Sequence, residues 1–414
     1  MSEPRVVTAQ QDLTPETARG DVVRPITMVV LGVGSLGLQV FWAFNTGTMP
    51  LFLKGYTSSK FYIALVLSLA GVSACMVGPL IGYLSDRTPA RFGRRAPYVV
   101  VGMLAAALCL LALPHAVAFT TVAALSVVMY CAVGLAQTPY YSLLPDVTPA
   151  EQRGTASGVM NLLGSVGIIA YFAGSAALWE AHPRVVLALV ALVAVGAVLV
   201  PVTFIREPAA VPPPAGAGIR AHLRSVRRQT PVLTYFAASS CCWLGHWIAV
   251  TFFTLFVVEE LGVSEGPSQY APMVFGLSAM VATLPVGMLG DRVGRKRLLA
   301  WLVSLWVVVA IGMTFAQTLT HALIGAALTG VPFAALMTVG YALMLDLIPK
   351  ARTAEFLGLS VVPVAVPQVI GPLLGGFLID TFGYRSIFPA AACAQLLALV
   401  LLRYVPTAPR DPAP

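Results

Sequence analysis

Residues 287–297 read Gly287-Met-Leu-Gly-Asp291-Arg292-Val-Gly294-Arg295-Lys296-Arg297. The knot of charge sits between two apolar runs, 270–289 and 298–317, each about the length that crosses a bilayer. Such a segment reads as a short loop pinned at a membrane face. The same grammar occurs earlier in the chain. Gly82-Tyr-Leu-Ser-Asp86-Arg87 is followed, after a short insert, by Arg91-Phe-Gly93-Arg94-Arg95. Gly93 and Gly294 are 201 positions apart. A second pair repeats at 200: Tyr141, Asp146 and Gly158 answer to Tyr341, Asp346 and Gly358. Two elements recurring at nearly one interval mark an internal duplication.

Outward from these loops the chain is almost all span. Of its 414 residues 58% are hydrophobic and 10% charged, and mean hydropathy is +0.85. Soluble domains carry about 25% charged residues, and a soluble fold with this balance would expose large apolar patches. Twelve apolar stretches follow: 26–50, 59–84, 97–114, 118–143, 155–180, 185–205, 232–257, 270–289, 298–317, 320–347, 355–379 and 385–404. The expected fold is an all-α integral membrane protein of twelve transmembrane helices in two pseudo-symmetric six-helix halves. The parts are a disordered cytoplasmic tail (1–24), an N-terminal half (25–205), a linker (206–231), a C-terminal half (232–404) and a second tail (405–414). The first 24 residues lack the short apolar core and cleavage site of a signal peptide. Within the linker, Ile219, Leu223 and Val226 recur among Arg220, Arg224, Arg227 and Arg228, which reads as a basic amphipathic segment on the membrane surface.

Charge sets the expected orientation. With both termini in the cytoplasm, only Lys54, Lys60, Arg184 and Arg385 of the 25 Lys and Arg fall on the opposite side. That is a strong positive-inside bias. The net charge of +8 then faces anionic lipid, so no nucleic-acid partner is expected. Arg dominates Lys, and neither Asn45 nor Asn161 begins a glycosylation sequon. The expected location is a bacterial inner membrane. All six cysteines fall inside spans, so no disulfide framework is implied. No nucleotide-binding loop, catalytic dyad or metal cluster points to an enzyme, and no cofactor is expected.

Two parallel halves with paired loop motifs resemble the major facilitator superfamily. The Gly-x-Leu-[Ala/Ser]-Asp-Arg-x-x-Gly-Arg-Arg signature is matched in both halves, with an insert in the first. Together with Gly93-Arg94-Arg95-Ala-Pro and Leu144-Pro145-Asp146-Val-Thr-Pro-Ala-Glu-Gln-Arg153-Gly, it is most similar to the glycoside/cation symporter branch, in particular the sucrose/proton symporters and their bacterial members. The resemblance implies a secondary transporter working by alternating access, with a sugar or glycoside as substrate and a proton as partner, in a monomer embedded in lipid. It also implies a gate. The Asp after span 2 would face the amino-terminal end of span 11, where the helix dipole favours an anion. Here that set is Asp86, Arg87, Gly93, Arg94 and Arg95, mirrored by Asp291, Arg292, Gly294 and Arg295, with Asp146, Arg153, Asp346 and Arg352 beside them. Plant sucrose symporters carry a proton-coupling Asp in span 4; here the equivalent stretch is Val128-Met129-Tyr130-Cys131, without an acid.

Polar groups inside a bilayer are costly and usually mark function. Span 1 offers Gln39, Trp42 and Asn45, span 4 Tyr130 and Gln137, span 5 Asn161, and span 7 Trp243 and Trp247. Aromatic faces with amides and hydroxyls suit a neutral polyol, and these eight are the expected substrate contacts. His246 is the one ionisable side chain expected near mid-membrane, and three roles stand open for it: a neutral packing histidine, a proton carrier, or with Cys242 a soft-metal contact. A drug or secondary-metabolite exporter is the alternative cargo reading, and a non-transporting membrane sensor the alternative class.

Overall fold

The computed structural model describes residues 25–85, 87–88, 93–149, 152–205, 230–348, 356 and 359–406. The amino-terminal tail, most of the linker with its basic segment, nearly all of the carboxy-terminal tail, Asp86 and Arg352 lie outside the described residues.

Among the described residues, twelve helices are long and apolar enough to cross a membrane. Spans 1–6 are Pro25–Lys54, Lys60–Ser85, Ala96–His115, Phe119–Val147, Arg153–Leu178 and Pro183–Phe204. Spans 7–12 are Thr230–Glu260, Glu265–Val293, Arg295–Met313, Leu319–Leu347, Val362–Phe382 and Tyr384–Tyr404. Spans 1 and 7 run several residues beyond the apolar limits read from the sequence. Hydropathy ends a span at the first charge, but Lys54, Glu259 and Glu260 are satisfied by ion pairs and let the helices continue. Span 11 is described as a continuous helix from Val362 onward, later than the expected 355; residues 349–355, 357 and 358 lie outside the described set.

Within the N-terminal half, span 1 packs on spans 5 and 6, and span 4 on spans 2 and 3. In the C-terminal half, span 7 packs on spans 11 and 12, and span 10 on spans 8 and 9. The halves meet along two main seams, span 2 against span 11 and span 5 against span 8, and spans 1 and 7 also touch near the far end. The bundle thus has two ends. One carries the arginine-rich loops and is called the basic end; the other carries the turns after spans 1, 5, 7 and 11 and is called the far end. A single buried apolar cluster includes Phe44, Ile63 and Tyr171 from one half and Phe252, Phe256 and Ile387 from the other. Toward the basic end each half has its own cluster, around Tyr140 and Val99 in the first and around Tyr235 and Trp306 in the second. The core is therefore shared at the far end and divided at the basic end.

The seam of spans 2 and 11 depends on bare backbone. A Cβ at Gly71 would lie 2.8 Å from the Val369 side chain, and one at Gly376 would lie 2.6 Å from the Lys60 carbonyl oxygen. Small residues of this kind let apolar helices approach without a hydrophobic drive from water. Gly93 and Gly294, the paired loop glycines, have φ of 94° and 107°. L-side chains rarely adopt that backbone, which is why glycine occupies both copies.

Candidate functional site

Three of the inner helices depart from α geometry. Span 1 has a π-helical turn at Phe44–Thr48, span 7 at Phe256–Glu260 and span 10 at Leu336–Gly340. Span 7 also leaves the helix at Thr251 and Phe252. Such turns concentrate at functional sites because they free backbone groups and redirect side chains. The irregularities in spans 1 and 7 border a narrow recess between the halves, with room for about one water in this conformation. Asn45, Thr46, Leu67, Trp247, Thr251, Gln368 and Pro372 line it. All are neutral.

The structure draws part of the expected substrate set together here. Trp42 Nε1 donates to Gln137 Oε1 at 3.0 Å, tying span 1 to span 4. Tyr130 donates its hydroxyl to Asn45 Oδ1. Gln39 packs against Gly164 of span 5. Other members lie apart. Asn161 is exposed, with its amide 3.5 Å from Ser157 of its own helix. Trp243 is buried in the C-terminal half against Phe333 and His246. His246 itself is enclosed by the rings of Trp243, Trp247, Phe275, Trp306 and Phe333, at centroid distances of 5.1–5.9 Å. It packs into that half and is not among the residues lining the recess. Thr46, Thr251 and Gln368 line the recess outside those eight; the two threonines belong to the polar residues the sequence offers in spans 1 and 7, whereas Gln368 was not expected. Gln368 is the one polar side chain in the first four turns of the proline-rich span 11, which is the signal the sequence offers.

Above the recess the far end is bolted by polar contacts across the halves. Asp380, near the end of span 11, receives the backbone N–H groups of Lys60 at 2.8 Å and Phe61 at 3.0 Å, and the Ser59 hydroxyl at 2.7 Å. A carboxylate thus meets the positive amino-terminal end of span 2. Glu259 pairs with Lys60 at 3.0 Å and Lys54 at 3.7 Å, and accepts the Tyr384 hydroxyl at 2.8 Å. Trp179 Nε1 donates to Glu265 at 2.8 Å, and Gly266 N–H to Glu180 at 2.7 Å. Deeper, buried Thr48 donates to Gln269 Oε1 at 3.2 Å and shares a hydrogen bond with Tyr171.

At the basic end, four ion pairs among the expected gating charges join residues of the same half. Asp146 binds Arg94 at 2.6 Å and Arg95 at 2.9 Å. Asp346 binds Arg295 at 2.7 Å, and Asp291 binds the same guanidinium at 3.0 Å. Arg153 donates to the carbonyls of Thr148 and Pro145, the last turn of span 4. Arg87 lies over the Tyr83 ring, its guanidinium carbon 3.6 Å from the centroid. Arg292 flanks the mirrored loop and has a partner of its own. The expected contact of Asp86 with span 11 falls outside the described residues, as does Arg352. Loop and span-4 or span-10 end are therefore stapled together in each half.

The family model of the Major Facilitator Superfamily matches residues 31–283 and 235–414. An uncharacterized MFS-type transporter of Mycobacterium tuberculosis, Rv1877, is 33% identical over 159 residues, covering 38% of this chain and 23% of that protein. The purine ribonucleoside efflux pump NepI of Escherichia coli O127:H6 is 25% identical over 175 residues, 42% of this chain and 44% of the pump. The matched stretch thus spans less than half the length of either relative. Among solved structures, a bacterial homolog of the human lysosomal transporter Spinster, inward-facing and unoccupied, superposes with a TM-score of 0.76 at 14% identity, over 94% of this chain and 98% of that one. A mutant of the nucleoside transporter NupG gives 0.74 at 14% identity, over 91% and 99%. These structural likenesses show the fold. On the family match, and with its twelve candidate spans, this chain is a multi-pass membrane protein that belongs to the Major Facilitator Superfamily.

Proposed function

We propose that the chain carries a small neutral sugar or glycoside across a bacterial inner membrane by alternating access, with both termini and the basic end in the cytoplasm. The observation that carries this reading is the recess between the halves, lined by two carboxamides, two threonine hydroxyls and an indole, with no charge. Neutral donors and acceptors beside an aromatic face match the hydroxyls and C–H faces of a sugar ring, whereas an ionic solute would need a counter-charge. The far-end bolts and the divided basic-end core support assigning this conformation to the cytoplasm-facing stage of the cycle.

A second reading is favoured by the relatives. NepI is a purine ribonucleoside efflux pump and NupG a nucleoside transporter. A nucleoside is itself an N-glycoside, and a carboxamide such as Gln368 offers the paired donor and acceptor that a base edge takes. Export of such a compound is the alternative to sugar uptake.

One assay separates the readings. Proteoliposomes holding the full chain are loaded with labelled methyl glucoside, sucrose or inosine, and exchange is followed with and without a pH gradient. Exchange of a sugar supports the first reading, and exchange of inosine alone supports the second. Failure of all three removes the glycoside assignment. An unchanged rate across the gradient removes the proton.

A further inference from the structure

Spans 1 and 7 carry the same local device 205 positions apart. Trp42 is followed four residues on by Thr46, and Trp247 by Thr251. Each threonine hydroxyl donates back to its tryptophan carbonyl, at 3.0 and 2.7 Å. Each pair also abuts the stretch where its helix leaves α geometry. These are the two inner helices in equivalent positions, so the pairs are twins.

The twins differ at one atom. The indole N–H of Trp42 is used up by Gln137. Gln137 lies in span 4; the residue 200 positions on, in span 10, is Met337, an exposed side chain in the π-turn Leu336–Gly340, so no glutamine stands there to accept. The indole nitrogen of Trp247 is buried and has no hydrogen-bond partner among the described residues. Trp247 lines the recess beside Asn45, Thr251 and Gln368. Span 11 holds it there from behind, since a Cβ on Gly371 would lie 2.6 Å from the Trp247 Cβ. A buried donor left without a partner is rare in native structures and expensive. A donor left unpartnered in a residue that lines the recess is placed to be satisfied by something that comes and goes.

The geometry points to Trp247 as the fixed hydrogen-bond donor to the carried solute, and to a solute that presents an acceptor there: a hydroxyl, ring-ether or carbonyl oxygen, or an aromatic ring nitrogen. Trp42 is the structural twin, already satisfied by the protein. Recognition is therefore lopsided, with the C-terminal half supplying the unpartnered donor although both halves carry the tryptophan. This rests on the reading that the recess belongs to the solute path.

The test uses the full chain in detergent, with inosine and methyl β-D-glucoside as probes and two variants, W247F and W42F. Binding is measured by calorimetry and the ligand-free melting temperature by fluorescence. W247F is expected to weaken the bound probe about tenfold, the loss of one hydrogen bond to ligand. Its ligand-free melting temperature should fall less than that of W42F, which breaks a bond the protein makes to itself. Wild-type affinity in W247F, or a melting loss as large as in W42F, overturns the assignment of Trp247 alone. Failure of both probes to bind the wild-type protein overturns the glycoside reading of the recess, and this assignment with it.

Discussion

Asp380 of span 11 caps the first turn of span 2, its carboxylate oxygens 2.8 and 3.0 Å from the amide nitrogens of Lys60 and Phe61. A helix start leaves its first N–H groups without intrahelical acceptors, and here the other half of the protein supplies the acceptor. Separating the halves at this end therefore strips span 2 of its cap.

Replacing Asp380 by Ala should shift the conformational balance away from the far-end-closed state. The carboxylate is exposed, so the loss is about 1–2 kcal/mol, or about a 5–30-fold change in the ratio of states. Distance distributions between spin labels on the spans 1–2 and 11–12 turns read this directly. Distributions unchanged from wild type would remove Asp380 from the closure.

Glu259 gathers Lys54, Lys60 and the Tyr384 hydroxyl around one carboxylate. Glu259→Gln should loosen the same end by leaving two ammonium groups facing each other. The double variant Glu259→Gln with Lys60→Met should recover part of that loss. A coupling energy of about 0.5–3 kcal/mol in the cycle is expected for groups in direct contact; strict additivity counts against a shared network.

The two basic-end staples predict unequal costs at equivalent positions. Asp146 is shared by Arg94 and Arg95, and all three side chains are 15% exposed or less. Asp346 and Arg295 are about a third exposed. Asp146→Asn should cost about 3–5 kcal/mol, as expected when one member of a buried ionic cluster is removed. Asp346→Asn should cost below about 1 kcal/mol, as for a surface pair. Thermal unfolding in detergent, run side by side, distinguishes them.

Gly294→Ala should lower stability by about 1–3 kcal/mol, because the residue sits at φ 107° where a Cβ is strained. The same holds for Gly93→Ala at φ 94°. Gly287→Ala, with open space around the added carbon, is the control in the same loop region and should be near neutral.

The spans and the duplication were readable because both rest on local pattern: apolar runs of bilayer length, and loop residues recurring near one interval. The pairing of Asp146 with Arg94 joins two such loops, and both ends were visible as motifs. The far-end bolts were not. Lys54 and Lys60 entered the sequence argument only as minority charges in a topology rule, although Glu180, Glu259, Glu260, Glu265 and Asp380 stand on the same side. Which acid meets which base depends on how spans 2 and 11 dock, and no periodicity encodes that. The central contacts were half legible. Trp42, Asn45 and Gln137 lie on faces that point inward, whereas His246 and Trp243 share a helix with Trp247 yet turn into their own half. A π-turn shifts the register of everything beyond it by one residue, and nothing in the composition of Phe44–Thr48 announces one.

The glycines at 71 and 376 make the closed seam intolerant of a single carbon atom. Every other arrangement of the halves that parts span 2 from span 11 has room for that carbon. Alanine at Gly376 is thus a wedge built into the chain, holding one door ajar while the remaining chemistry of the carrier is left as it was.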